Sequence, residues 1–93
     1  MEFEWDPAKS ASNVEKHGID FQDAVRVFTD PRATTANVTR PEFGETRFKA
    51  VGIVNDEFMA VIYTDRGAVR RIISARRTRK NERRHYLDEG QTP

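Results

Sequence analysis

The sequence predicts an α+β fold: two N-terminal helices, an antiparallel sheet and a C-terminal helix, forming one domain over residues 1–93. Three observations carry this. Asp6-Pro7 and Asp20 are helix starts on either side of Gly18. Residues 33–77 fall into short alternating or apolar runs separated by turn residues. Thr78 then stands ahead of a last, highly charged stretch.

Phe3 and Trp5 alternate with Glu2, Glu4 and Asp6, the period of a short strand. Asp6 can cap free backbone N–H groups, and Pro7 suits the first helical position, where its missing N–H has no partner to lose. That helix runs to His17, with Gly18 ending it in a left-handed turn and Lys16 and His17 at the negative end of its dipole. Asp20 caps the second helix, and Ile19 and Ala24 can staple its start. Phe21, Ala24, Val25 and Phe28 form one apolar face, and Asp30-Pro31 stops it.

Residues 33–39 are rich in Thr, Ala and Val and read as a strand, broken by residues 41–44. Residues 45–54 alternate, with Phe48, Ala50 and Val54 on one face and Glu45, Arg47 and Lys49 on the other. Asn55-Asp56-Glu57 is a hairpin turn, residues 58–64 are a nearly continuous apolar central strand, and Asp65-Arg66-Gly67 is a second turn. Residues 68–77 are the last strand. Thr78 caps a helix over 79–89, leaving a frayed tail at 90–93. The helices are expected on one face of the sheet, leaving the other partly open and polar.

Cysteine is absent, which excludes disulfides, thiolate metal sites and a cysteine nucleophile; two distant histidines argue against zinc. No cofactor is expected. No apolar run approaches a membrane span, and the acidic N-terminus lacks a signal-peptide pattern, so a cytoplasmic protein is expected.

Charge is distributed unevenly. From Arg66 to Arg84 nine basic residues face one acid, Glu82, so that stretch is +8 and the remainder −7. Such asymmetry fits a polyanion or an acidic partner, against the plainer reading of a solvated face. Strand parity puts Val69, Arg71, Ile73, Ala75 and Arg77 on the core side and Arg70, Ser74 and Arg76 on the open side. Arg71 fits poorly there: it lies at the strand edge, or a bulge re-aims it.

Arginine suits such a surface because its planar fork meets two phosphate oxygens at once. Metal-free scission of RNA needs a base for the 2′-hydroxyl, cations for the phosphorane and an acid for the leaving 5′-oxygen. Arg47, Arg71 and Arg76 are the candidates for charge stabilisation. His17 and Tyr86 can move protons, and Glu45 can act as a weaker base or orient an arginine. Lys16, Tyr63, Arg70, Arg77 and Arg83 are further candidates for gripping substrate. Each has a plain alternative: His17 as a helix-end charge, Tyr63 as a core aromatic, Tyr86 as packing for the last helix. Ser74 lacks a neighbouring base and is a poor nucleophile.

Trp5-Asp6-Pro7-Ala8-Lys9, Asn13, Lys16-His17-Gly18-Ile19, Phe21, Ala24 and Val27-Phe28-Thr29-Asp30-Pro31 resemble the opening of BrnT-type toxins. Glu45-Thr46-Arg47 and Val61-Ile62-Tyr63-Thr64 fit the middle of that family; Arg71-Ile72-Ile73-Ser74-Ala75-Arg76, Glu82-Arg83 and Tyr86 fit its end. The resemblance implies a RelE-like ribonuclease fold and a type II toxin that blocks translation by cleaving RNA. It also implies a BrnA-like ribbon-helix-helix antitoxin, through which alone the pair touches DNA. The alternatives are a non-catalytic subunit that docks a repressor, or a gyrase-directed toxin on the same fold. Convergence of Arg71, Arg76 and Tyr86 in one concavity separates enzyme from docking module.

Overall fold

The computed structural model describes residues 1–91. It holds a five-stranded sheet in the order β1-β5-β4-β3-β2, formed by β1 (Glu2–Glu4), β2 (Thr34–Asn37), β3 (Phe48–Val54), β4 (Glu57–Arg66) and β5 (Val69–Arg77). The described helices are α1 (Pro7–His17), the short α2 (Phe21–Ala24), continued by a 3₁₀ segment Val25–Thr29, and α3 (Lys80–Gln91). Thr92 and Pro93, part of the expected tail, lie outside the described residues. Gly90 and Gln91 instead continue α3.

The local signals at the N-terminus act as read. The Asp6 carboxylate accepts from the Ala8 N–H, Pro7 opens α1, and Gly18 takes the left-handed conformation at φ 71°. The Asp20 carboxylate accepts from the Asp23 N–H. After one turn α2 tightens into 3₁₀ geometry. With three residues per turn the inward row becomes Phe21, Ala24 and Val27, all fully buried, while Val25 and Phe28 are only partly covered.

The sheet is mixed rather than antiparallel. β2, β3, β4 and β5 form an antiparallel meander, but β1 joins the edge of β5 in parallel. The β3–β4 hairpin turns on Asn55 and Asp56, both at positive φ, whose twist matches that of paired strands. The next turn is Gly67-Ala68, so β4 continues through Asp65 and Arg66.

The helices divide between the two faces. One face carries Ala50, Val54, Met59, Val61, Tyr63, Ile72 and Ala75 against Ile19, Phe21, Ala24 and Val27 from the N-terminal helices. The other carries Val51 and Ala60, covered by Tyr86 of α3 beside Phe58. This corrects the expectation that all helices share one face. The continuous apolar run of β4 is the reason: alternate residues point both ways, so both sides need cover.

One irregularity positions the candidate site. Ser74 pairs with Ile62 and Ile72 with Tyr63, so Ile73 is an extra residue and β5 bulges there.

Candidate functional site

Pairing across the sheet defines a polar row. Arg76 lies opposite Ala60, Ser74 opposite Ile62 and Arg71 opposite Thr64, so the three share the face that α3 touches. On β3, Lys49 lies opposite Ile62 on the same face. Arg47 precedes β3 with the parity of Lys49, its guanidinium 4.0 Å from the Phe43 ring centre. The bulge therefore re-aims Arg71 to the side of Arg76, resolving the choice left open by parity.

The same bulge moves Arg70 the other way, correcting its assignment to the open face. Arg70 lies opposite Asp65, with its guanidinium 4.4 Å from the Tyr63 ring centre and 4.7 Å from that of Phe28. It grips the Asp65 carboxylate at 2.8 and 3.1 Å, and that bond holds its pKa above the ordinary range. Tyr63 is core: it stacks on Phe48, meets Phe28 edge-on and is 4% exposed, and burial pushes its hydroxyl pKa up. As placed, it offers no free face for stacking a base.

Among the described residues, four of the nine basic residues from Arg66 to Arg84, namely Arg66, Arg70, Arg71 and Arg77, pair with acids from outside that stretch. Arg71 pairs with Glu4 at 3.6 Å and exposed Arg77 with Glu57 at 2.8 Å. Glu45 accepts from Arg47 Nε at 3.1 Å and from Arg66 at 3.4 Å; the Arg47 bond foremost holds its carboxyl below the ordinary range. A carboxyl so held is a weak base and a good tether. Arg83 is exposed on α3, 5.7 Å from the Phe58 ring centre.

Glu82 is the centre of the tightest group. Its side chain is 4% exposed. Arg76 donates to both its oxygens at 2.7 and 2.8 Å, Lys49 Nζ lies 2.8 Å away, and the backbone N–H of Arg79 donates at 2.7 Å. The last bond is one half of a capping box, so Glu82 rather than Thr78 serves the start of α3. Chiefly the Arg76 bonds hold the Glu82 carboxyl far below the carboxylate range.

Tyr86, one turn on, packs over Val51 and Ala60 on the same face. It is 5% exposed, packs edge-on against Phe58, and donates its hydroxyl to Asp30 Oδ2 at 2.7 Å. Burial, and then the Asp30 carboxylate, push its pKa up. Asp30 also accepts from the Ile53 and Arg32 N–H groups. The pair ties α3 to the end of the 3₁₀ segment. Arg71 and Arg76 thus share a face of the sheet, while the Tyr86 hydroxyl is taken by Asp30.

A second group adjoins the row at the edge of β5. A cavity of about 260 Å³ is lined by Lys9, Ser12, Asn13, Lys16, His17, Ile73 and Ser74. It exists because β1 covers only the first residues of β5, and α1 closes on the rest. Asn13 substitutes for a neighbouring strand: it donates to the Ala75 carbonyl at 2.8 Å and accepts from the Ala75 N–H at 3.2 Å. Its amide also donates to the Ile19 carbonyl at 2.7 Å. Lys16 and His17 are exposed at this cavity, and Ser74 belongs both to it and to the arginine row.

Sequence reasoning placed Lys49 and Ser74 on the polar face without giving either a part in binding, and passed over Lys9; nothing local placed α1 beside Ser74. What the arrangement offers is a strip of guanidinium and ammonium groups on two strands, linked through Ser74 to a cavity that His17 lines. That suits a phosphodiester backbone.

No helix among the described residues is long and apolar enough to cross a membrane. No curated protein matches the chain. The family model described as the ribonuclease toxin BrnT of type II toxin–antitoxin systems matches residues 5–82. The chain belongs to the BrnT family of ribonuclease toxins of type II toxin–antitoxin systems.

Proposed function

We propose that this toxin cleaves RNA without a metal, by attack of a ribose 2′-hydroxyl on the adjacent phosphorus. The hydroxyl proton passes to a base, the P–O5′ bond breaks, and the leaving oxygen takes a proton. A 2′,3′-cyclic phosphate and a 5′-hydroxyl result. Arg71, Arg76 and Arg47, joined by Lys49, hold the phosphate and the charge that grows on its oxygens. His17 moves a proton from the β5-edge cavity, and Lys16 steadies the backbone there. Glu45 orients Arg47. Tyr86 acts by packing α3, with its hydroxyl already committed to Asp30. Tyr63 and Arg70 hold the core end of β5, while Arg77 and Arg83 extend the basic field.

The observation that carries this reading is the bulge at Ile73, which supports one shared face for Arg71, Ser74 and Arg76 beside the Lys16–His17 cavity. The fold is RelE-like in this reading. A BrnA-like ribbon-helix-helix antitoxin covers the basic face in the cytoplasm, and contact with DNA runs through it.

The internal pairing of Arg71, Arg76 and Arg77 favours a second reading, a surface that only docks a partner. One experiment separates them. Antitoxin-free protein is incubated with total RNA and EDTA, and 3′ ends are analysed. Cyclic-phosphate ends support the proposal. Cleavage only after added metal removes the metal-free mechanism, and intact RNA under all conditions leaves the docking surface. Intact RNA with inhibited gyrase supercoiling instead identifies a gyrase-directed toxin.

A further inference from the structure

The Glu82 carboxylate is held as a phosphate would be held. Two oxygens meet the fork of Arg76 at 2.7 and 2.8 Å, the Lys49 ammonium sits at 2.8 Å, and a backbone N–H at the start of α3 donates at 2.7 Å. A bidentate guanidinium, an ammonium and a helix-start N–H are the donors that recognise phosphate oxygens. The two side-chain donors come from two strands of the sheet, while the acceptor arrives on a separate element, α3.

α3 is lightly held. Of its residues 80–89, Glu82 and Tyr86 are the two that are buried. Leu87 is 47% exposed, and Lys80, Arg83 and Arg84 face solvent. Over those residues the helix buries one tyrosine and one carboxylate. A core helix of this length would bring a stripe of apolar residues. The side chains of Arg76 and Lys49 remain about a quarter exposed, so an anion can approach them from solvent.

We infer that Lys49, Arg76 and the Arg79 N–H form a phosphate subsite that the chain itself occupies with Glu82, so that RNA binds there by displacing this carboxylate. The inference rests on the ribonuclease reading for its ligand and adds to it a closed state of the same surface. Two positive side chains share one negative charge, so the group keeps a net positive field that draws phosphate in while the direct donors stay taken. Lys49 and the Arg79 amide become phosphate ligands, and α3 becomes the element whose loosening opens the site.

The test uses full-length toxin and two probes, inorganic phosphate and an all-2′-deoxy oligonucleotide that offers no 2′-hydroxyl. Glu82→Gln removes the competing charge at nearly constant shape. It should bind the oligonucleotide about tenfold more tightly than the wild type, and phosphate should raise its melting temperature more than that of the wild type. Both gains should vanish when Arg76→Gln is added. Equal or weaker binding by folded Glu82→Gln overturns the inference.

Should Glu82→Gln fail to fold, the wild type carries the test by NMR. Displacement of Glu82 breaks its bond to the Arg79 amide, so that amide should shift with saturating oligonucleotide. Saturable binding with the Arg79 amide unmoved overturns the inference. Absence of cleavage of ordinary RNA sinks the ribonuclease reading alone, because the phosphate arm does not depend on it.

Discussion

Arg71 and Arg76 share one face of the sheet although they are five positions apart, a spacing that sends residues of a regular strand to opposite faces. The extra residue, Ile73, makes up the difference. It turns Arg71 outward and folds Arg70 back over Tyr63 and Phe28.

These neighbours should respond to substitution in opposite ways. Arg70→Ala loses two ring contacts and a forked ion pair and should destabilise the protein by about 1–3 kcal/mol. Arg71→Ala should stay within about 0.5 kcal/mol of the wild type yet lower RNA cleavage about 100-fold. Urea unfolding and cleavage of a defined RNA read the two effects. Equal stability losses would remove the assignment of faces.

His17 is exposed and has its place at the β5-edge cavity. His17→Ala should leave the melting temperature unchanged and slow cleavage by about 10²- to 10⁴-fold, the range of one proton-transfer group. Single-turnover cleavage of a defined RNA, beside thermal unfolding of the variant, checks this. An unchanged rate assigns the proton to another group.

Glu82 links stability to acid. Its carboxyl is held well below the ordinary value of 4.5 when folded. A depressed folded pKa gives stability that is fully present above the unfolded pKa and is lost as pH falls toward the folded one. Wild-type stability should therefore decline below about pH 4.5, and Glu82→Gln should flatten part of that decline. Urea midpoints for both proteins from pH 7 downward measure it. Parallel curves would mean that Glu82 is not held low.

Asn13 closes the uncovered stretch of β5 with three hydrogen bonds to backbone groups. Asn13→Ala strands the buried Ala75 N–H and two carbonyls, and should cost about 2–4 kcal/mol. Asn13→Asp keeps one acceptor and places a charge where two donors are needed, and should cost more. Chemical denaturation ranks the pair. Loss of cleavage is expected as well, since α1 carries Lys16 and His17.

Local chemistry was readable along the chain. Asp6, Pro7, Gly18 and Asp20 act within one turn of themselves, so their neighbours in sequence are their neighbours in space. The same holds for the Asn55-Asp56 hairpin and for the alternation of β3. The family motifs were legible for a similar reason, being short runs of adjacent residues. The long apolar run of β4 even carried the information that both faces need cover, although α3 was expected elsewhere.

Contacts between distant segments could not be read in this way. Glu4, Glu57 and Asp65 neutralise arginines of β5 from other strands, and a charge count confined to residues 66–84 cannot register them; Glu82, which it does count, reaches Arg76 only through the docking of α3. The bulge at Ile73 depends on pairing with β4, the parallel seat of β1 on the order of strands, and the bond between Tyr86 and Asp30 on residues 56 positions apart. Caps, turns and periodicity are set by covalent neighbours and backbone sterics. Which side chain faces which is set by the packing of whole elements, and here that packing decides which of Arg70 and Arg71 shares a face with Arg76, and brings Glu82 to Arg76.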